Sequence, residues 1–258
     1  MNRLLLFAAL LSSCTRLTPQ VTTVNGARVE LVTAGPDTPA VVFEAGLGSD
    51  WSVWDEAAAQ VARSARVFAY SRPGYGQSGP ATTPRDPLHI VEELRALLTA
   101  QGIAPPYVLV GHSFGGAYME LFAKAHPDEV RAVVLVEPRH RDFTRECEAE
   151  GLAGCTMSAS FVKTLPRVQQ EELTGFALAS EQIRSAGGFG GVPVRVLTAT
   201  SHGESEVWER LWRSTHRALA AEATDGEQRM LDGSHNLEVE RAGDIARLVL
   251  ELINTPPR

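Results

Sequence analysis

The sequence predicts an α/β protein whose sheet is mostly parallel and is flanked by helices on both faces. Short segments rich in β-branched residues alternate along the chain with longer segments in which apolar residues recur every three or four positions. Two of the short segments, 108–110 and 133–136, are apolar on both faces, as strands covered by helices on each side require. A length of 258 residues, 44% of them hydrophobic, supplies enough core for one large domain.

Eight strands and five clear helices are predicted in order along the chain. The strands are expected at residues 21–24, 28–33, 40–44, 66–70, 107–110, 132–136, 194–198 and 227–230. The helices are expected at residues 54–64, 87–101, 114–126, 204–222 and 237–253.

One stretch, residues 138–192, breaks the alternation of strands and helices. It carries many charges and two of the three cysteines, and it ends in a glycine-rich run at 187–191. An ordinary connection in such a fold has only about 2 to 6 residues. We therefore expect a small cap, inserted after the sixth strand and lying over one end of the sheet.

The charge balance disfavours a nucleic-acid partner. The chain has 24 Lys and Arg against 31 Asp and Glu, a formal net charge of −7. A polyanion is bound through a basic face, which this composition does not favour. Nucleic acid is therefore not expected as a partner.

The N-terminus predicts export. An apolar run at residues 4–11 is too short to span a bilayer, which takes about 20 residues, but it suits a signal peptide. The letters LSSC that end at Cys14 resemble the lipobox of bacterial lipoproteins. That resemblance implies a signal peptide at 1–13, cleavage before Cys14, and lipidation of Cys14. The mature protein 14–258 would be a single domain anchored to a membrane of the bacterial cell envelope. An ordinary secretory signal or an uncleaved helix is the alternative.

The two remaining cysteines are Cys147 and Cys155. In an oxidising compartment a close pair of this kind predicts a disulfide, and two unpaired thiols are the alternative. A structural zinc site is disfavoured because the pair lacks companion ligands at suitable spacing.

The residues around Ser113 match a nucleophile elbow. The letters GHSFG at 111–115 lie between an apolar strand and a helix, so the order is strand, sharp turn, helix. Such a turn holds a serine hydroxyl clear of the sheet, and small residues on each side allow strand and helix to approach closely. The alternative is a serine that only caps the following helix.

Four landmarks in this order resemble the α/β-hydrolase fold family. They are FEAGLG at 43–48 after the third strand, SRPGYGQS at 71–78 after the fourth, the elbow, and DGSH at 232–235 before the last helix. The second landmark departs from the family's D-R-P-G-x-G-x-S loop, because Ser71 stands where the family has Asp. The likeness covers nearly all of the mature chain.

The resemblance implies a serine hydrolase that cleaves carboxylic esters through an acyl-enzyme on Ser113. A serine hydroxyl needs a base, and of the seven histidines only His235 lies in a short loop between a late strand and the terminal helix. His112 is expected to point elsewhere. The backbone amides of Leu47 and Phe114 would form the oxyanion hole. The other five histidines are expected on helix or loop surfaces: His89, His126, His140, His202 and His216.

The acid that would orient His235 departs from the common pattern. The family usually has an Asp after the seventh strand, but there the chain offers no carboxylate before Glu204. Some members place the acid after the sixth strand, where Glu137 stands. Glu137 is our first choice and Glu204 the alternative. Another carboxylate such as Glu206, or no acid at all, is also left open.

Four large apolar side chains are candidates for the substrate pocket. Trp51, Trp54, Leu47 and Phe114 are close in sequence to the expected site and are candidates for lining an acyl pocket, with plain core as the alternative.

The letters GYGQSG at 74–79 match a dinucleotide-binding pattern, but the prolines that follow oppose a helix there. No cluster of residues has metal-ligand spacing, so neither a cofactor nor a metal is expected.

Several reactions would use the same residues. A lactonase, thioesterase, amidase, acyltransferase or peroxyacid-forming enzyme shares this chemistry. Dehalogenases and epoxide hydrolases of the family carry Asp as the nucleophile, and Ser113 argues against both. The alternative from another class is a catalytically lapsed scaffold that binds a ligand or partner at the envelope.

Overall fold

The eight predicted strands form one sheet in the computed structural model, which describes residues 17–37 and 39–255. The predicted signal peptide at 1–13 and the lipidation site Cys14 lie outside the described residues. The strands are β1 (Gln20–Val24), β2 (Ala27–Ala34), β3 (Ala40–Glu44), β4 (Arg66–Tyr70), β5 (Tyr107–His112), β6 (Val130–Val136), β7 (Val194–Ala199) and β8 (Gly226–Leu231).

The sheet has the order β1-β2-β4-β3-β5-β6-β7-β8. β2 runs antiparallel to both of its neighbours, and the pairs from β4 through β8 are parallel. The predicted fold class is therefore confirmed. Because β3, β5, β6, β7 and β8 are parallel, the loops after their carboxyl ends meet at one edge of the sheet.

Helices cover both faces of the sheet. One layer consists of α1 (Asp55–Val61) and α10 (Ala242–Asn254), and the other contains α2 (Pro87–Ala100), α3 (Phe114–Ala125) and α8 (Glu206–Ala221). In β5, Val108 and Val110 pack with the first layer and Leu109 packs with the second. This is why the central strands are apolar on both faces.

The segment between β6 and β7, which we call the cap (residues 138–192), contains four α-helices and one short 3-10 helix. The α-helices are α4 (Phe143–Ala149), α5 (Ala159–Val162), α6 (Arg167–Gly175) and α7 (Ala179–Ser185). A disulfide joins Cys147 of α4 to Cys155. The cysteines pack with Phe143 and with Trp208 and Trp212 of α8, so the cap has a small apolar core shared with the main domain.

The helix predicted at 237–253 is two helices in the structure. α9 (Leu237–Glu240) and α10 are separated by Arg241, which has φ −125° and ψ 29°. The Arg241 side chain donates from Nε to the carbonyl oxygen of Asp232 at 2.5 Å. The break turns the chain between the loop that carries His235 and the packed helix α10. Within the described ranges, no helix is long and apolar enough to cross a bilayer.

Candidate active site

The turn between β5 and α3 holds Ser113 in a conformation that is rare for residues other than glycine. Its φ is 52° and its ψ is −116°. The Ser113 amide donates to the carbonyl oxygen of Val136 at 3.1 Å, and the Ser113 carbonyl accepts from the Arg139 amide at 2.9 Å. Gly115 allows α3 to approach β3, because a Cβ there would lie 2.5 Å from the carbonyl oxygen of Glu44. The turn presents Ser113 to a cavity at the carboxyl edge of the sheet.

The structure brings His235 to Ser113. His235 lies in the loop between β8 and α9, and its Nε2 is 3.1 Å from Ser113 Oγ. The buried ring of His112 donates from Nε2 to the His235 carbonyl oxygen at 2.8 Å. Burial lowers the pKa of His112 to about 3, so this donor is a neutral imidazole at ordinary pH. His112 thus supports the loop that carries His235.

Glu137 follows β6 directly and is fully buried. Its Oε2 lies 3.1 Å from His235 Nδ1, and its Oε1 accepts from the Ala199 amide at 2.6 Å. The Glu137 amide donates to the carbonyl oxygen of Leu197 at 2.8 Å, which fixes the residue against β7. Burial alone would raise the pKa of Glu137, but hydrogen bonds from His202 and His235 hold the pKa well below its usual range. The side chain is therefore a carboxylate.

A second histidine, His202, also contacts Glu137. Its Nε2 lies 2.6 Å from Glu137 Oε2 and its Nδ1 lies 2.9 Å from Glu209 Oε2. A neutral imidazole has one N–H, so only the imidazolium can donate to both carboxylates. Burial lowers the pKa of His202, but the hydrogen bonds to Glu137 and Glu209 outweigh it and raise the pKa. Trp212 Nε1 donates to the same Glu137 oxygen at 3.0 Å.

The expectation that His140, His202 and His216 lie on surfaces is wrong. The side chain of His202 is only 6% exposed, and His140 and His216 are buried. His216 is held inside because Nδ1 lies 2.9 Å from Thr198 Oγ1 and Nε2 donates to the Pro138 carbonyl oxygen at 2.9 Å. Sequence reasoning missed His202, although one pattern pointed to it. His202 follows β7, in the loop where the family usually carries its acid.

The alternative acids do not reach His235. Glu204 and Glu206 are exposed, and within the described chain neither is hydrogen bonded to His235. Both lie where the chain enters α8. The structure therefore brings Glu137 to His235, and neither Glu204 nor Glu206.

The backbone amides of Leu47 and Phe114 are free in the part of the chain that the structure describes. Neither amide donates to a protein acceptor there, although most backbone N–H groups are paired. Leu47 follows β3 and Phe114 begins α3, and both residues line the cavity that contains Ser113. Two unpaired amides beside a serine are suited to bind an oxyanion.

The cavity at Ser113 has a volume of about 970 Å³. Its apolar wall includes Phe114 stacked on Phe176 of the cap at 4.0 Å between ring centroids. The expectation that Trp51 and Trp54 line it is wrong, since both are core residues. Trp54 is fully buried, with its ring centroid 5.3 Å from that of Phe43. Another cavity, of about 1130 Å³, lies between residues 80–86 and the cap. Among the described residues, neither a serine nor a histidine lines it.

Three side chains in this site could together hold a metal ion. One donor atom each from Glu137, His202 and His235 lies within 4.8 Å of the others, a grouping that the sequence spacing did not reveal. A metal would need the lone pairs of His202 Nε2 and His235 Nδ1. Both nitrogens are engaged with Glu137 Oε2. The hydrogen bonds present suit proton transfer.

Residues 39–186 match the model of the α/β hydrolase fold. The chain belongs to the α/β-hydrolase fold family. It is 26% identical to the uncharacterized protein YqjL of Bacillus subtilis over 212 residues, which are 76% of either protein. Several further curated relatives are matched over less than half of their own length.

Solved structures of other proteins share the fold. An enol-lactonase from Burkholderia xenovorans superposes with a TM-score of 0.65 at 20% identity, covering 92% of this chain and 100% of that one. An epoxide hydrolase from Vigna radiata has a TM-score of 0.67 at 17% identity, covering 93% and 98%. At these identities the likeness concerns the fold and does not identify the reaction.

Proposed function

We propose that this α/β-hydrolase is a serine hydrolase that cleaves carboxylic esters through an acyl-enzyme on Ser113. The observation that carries the proposal is the row of hydrogen-bonding atoms from Ser113 Oγ through both nitrogens of His235 to Glu137, with 3.1 Å at each step. A serine hydroxyl becomes a useful nucleophile when an adjacent base takes its proton. Membership of the family supports a hydrolytic reaction.

The first half-reaction acylates the enzyme. Ser113 Oγ bonds to the ester carbonyl carbon while its proton passes to His235 Nε2, and Glu137 stabilises the imidazolium at Nδ1. The negatively charged carbonyl oxygen accepts hydrogen bonds from the backbone amides of Leu47 and Phe114. The bond to the leaving oxygen then breaks, and His235 returns the proton to the departing alcohol.

The second half-reaction frees the acid. A water molecule gives a proton to His235 Nε2 as its oxygen attacks the acyl carbon. The same two amides bind the second oxyanion. The bond from the acyl carbon to Ser113 Oγ breaks, the hydroxyl regains its proton, and the carboxylic acid leaves. No bond-making step requires a group beyond these side chains, the substrate and water.

Labelling with a fluorophosphonate probe tests the proposal on the full-length protein. Ser113→Ala should abolish labelling, and His235→Ala and Glu137→Ala should slow it by about 10³-fold or more, because each disables the activation of one hydroxyl. Glu204→Ala is the matched control and should label like the parent. A folded parent that never labels would refute the proposal and favour a lapsed scaffold.

We also propose that the protein is exported and held on a membrane by lipid on Cys14. The apolar run at 4–11 and the LSSC letters support this, and a disulfide such as Cys147–Cys155 persists in oxidising compartments. Detergent phase partition of the parent and of Cys14→Ala tests it. The parent should enter the detergent phase and the variant the aqueous phase. Equal partition would contradict lipidation.

A further inference from the structure

Arg139 lies in the wall of the active-site cavity, two residues after Glu137. Its Nη2 donates to Thr144 Oγ1 at 2.7 Å and to the Cys155 carbonyl oxygen at 2.6 Å. Its Nε and Nη1 have no protein acceptor among residues 17–37 and 39–255. Neither atom is fully buried. Three of the five N–H donors of the guanidinium are therefore available to a ligand.

No carboxylate of the described chain forms an ion pair with Arg139, in contrast to the other two arginines of the cavity wall. Arg141 pairs with Glu120, and Arg145 lies 3.3 Å from Asp142. Burial without a partner lowers the pKa of Arg139 to about 10, so the group remains charged at neutral pH. A partly buried charge without a counter-ion is costly unless a ligand supplies one.

The guanidinium and His235 both approach the indole ring of Trp212. Its central carbon lies 4.8 Å from the ring centroid of Phe143 and 5.9 Å from that of Trp212. The other neighbours of Trp212 include His235, with ring centroids 5.8 Å apart. Arg139 and His235 therefore flank the same indole ring, and the Arg139 amide donates to the Ser113 carbonyl oxygen at 2.9 Å. Ser113 and Arg139 also line the same cavity.

We propose that Arg139 binds a carboxylate of the substrate, so that this site takes esters that carry a negative charge. The inference rests on the proposed function and names its substrate class: half-esters of dicarboxylic acids, or lactones that bear a carboxylate. The carboxylate would accept charge-assisted hydrogen bonds from the free N–H groups. The stacked rings of Phe114 and Phe176 supply an apolar wall for the methylene groups between the two ends.

The described part of the cavity wall contains four acids. Asp142 is paired with Arg145 and Arg184, and burial raises the pKa of Glu238 to about 7. Glu148 and Glu204 would repel such a substrate. Both are exposed, so water and salt screen their charges strongly. The guanidinium of Arg139 is partly buried and is screened less. The attraction is therefore expected to prevail at physiological ionic strength.

Two esters of equal length test the proposal. The p-nitrophenyl half-ester of glutaric acid is anionic, and its methyl-capped diester is neutral. The full-length parent should prefer the anionic ester in kcat/KM. Arg139→Met should lower the ratio of the two kcat/KM values by about 10- to 100-fold, and Arg139→Lys should lower it less. Arg145→Met, which removes an already paired cavity arginine, is the matched control and should preserve the ratio.

The ratio separates recognition from a structural role. If Arg139 only holds Thr144 and Cys155 in place, Arg139→Met will slow both esters equally, and the proposal is wrong. It is also wrong if the parent prefers the neutral ester.

Calorimetry with Ser113→Ala gives an answer even if no ester is hydrolysed. This variant should bind the anionic half-ester more tightly than the neutral diester, and adding Arg139→Met should remove that difference. Equal binding of the two esters would refute the role of Arg139. If fluorophosphonate does not label the parent, the proposed function is wrong, but the role of Arg139 in binding is still decided by the calorimetry.

Discussion

Replacing His202 by glutamine removes a positive charge beside Glu137 but retains a side-chain N–H donor. In the parent, the His202 imidazolium lies between Glu137 and Glu209, at 2.6 and 2.9 Å. It partly neutralises the carboxylate that faces His235. Without that charge, Glu137 acts on His235 with its full negative charge, and His235 is protonated more readily.

The size of the effect follows from one distance. The ring centroids of His202 and His235 are 6.2 Å apart. Two unit charges about 6 Å apart repel each other by about 2.7 kcal/mol at an effective dielectric constant of about 20, and by about 0.7 kcal/mol in bulk water. Since about 1.36 kcal/mol corresponds to one pH unit, the change amounts to about 0.5 to 2 units. His235 must be neutral to accept the Ser113 proton, so the acid limb of activity should move to higher pH.

The assay is the pH dependence of kcat/KM, whose acid limb reports the base of the free enzyme. His202→Gln should shift this limb upward by about 0.5 to 2 units. His89→Gln, on the partly exposed face of α2, should leave it in place. A uniform loss of activity at every pH with an unmoved limb would show that His202 acts only in packing. A downward shift would refute the assigned charge.

Three further predictions concern stability. Burial raises the pKa of Glu238 to about 7, so the folded state favours the protonated carboxyl. The stability that this carboxyl contributes below about pH 4.5 is therefore lost as the pH rises towards 7. Glu238→Gln should not show this loss, which amounts to up to about 3 kcal/mol in the parent. Urea unfolding of both proteins at pH 5 and pH 7.5 measures the free energies of unfolding. If the variant and the parent differ by the same amount at both pH values, the prediction is wrong. Cys147→Ser removes a cross-link between residues eight apart and should lower the free energy of unfolding by about 2 to 3 kcal/mol. The Tm should fall accordingly. A reductant should lower the Tm of the parent by a similar amount and leave that of the variant unchanged. Gly115→Ala should lower the free energy of unfolding by about 1 to 3 kcal/mol, because the new methyl group would clash with the Glu44 carbonyl. Gly188→Ala is the control and should be near neutral, because no atom of the described residues lies within 4 Å of a Cβ there. Similar losses in the two variants would contradict the steric argument.

The sheet was predictable because its strands must be apolar where helices cover them. All eight predicted strands match observed strands to within two residues at each end, from β1 to β8. The break between α9 and α10 was not predictable from periodicity, since the apolar spacing continues across Arg241. A tertiary contact, from Arg241 Nε to the Asp232 carbonyl, accompanies the break.

The groups found by local pattern differ from those found only in the fold. Ser113 and His235 lie in short motifs whose turns can be read from sequence, and Glu137 directly follows a strand. His202 lies 65 residues from Glu137 and reaches it only because β6 and β7 are neighbours. Trp54 illustrates the opposite error: nearness in sequence to the site does not decide whether an indole faces a cavity or, as here, Phe43.

Arg72 connects the cap to the loop that carries a proposed oxyanion amide. The buried guanidinium lies 2.6 Å from Glu44 Oε1 and 2.9 Å from Oε1 of Glu172 in α6, and Nη2 donates to the Gly46 carbonyl oxygen at 2.9 Å. The Gly46 carbonyl and the Leu47 N–H belong to one planar trans peptide, so they point in opposite directions. Because Arg72 binds the Gly46 carbonyl oxygen, the Leu47 N–H points away from the guanidinium. The Leu47 amide is then free to bind the proposed oxyanion. Because Glu172 anchors the same guanidinium, the position of the cap and the geometry of the oxyanion site depend on one buried ion network.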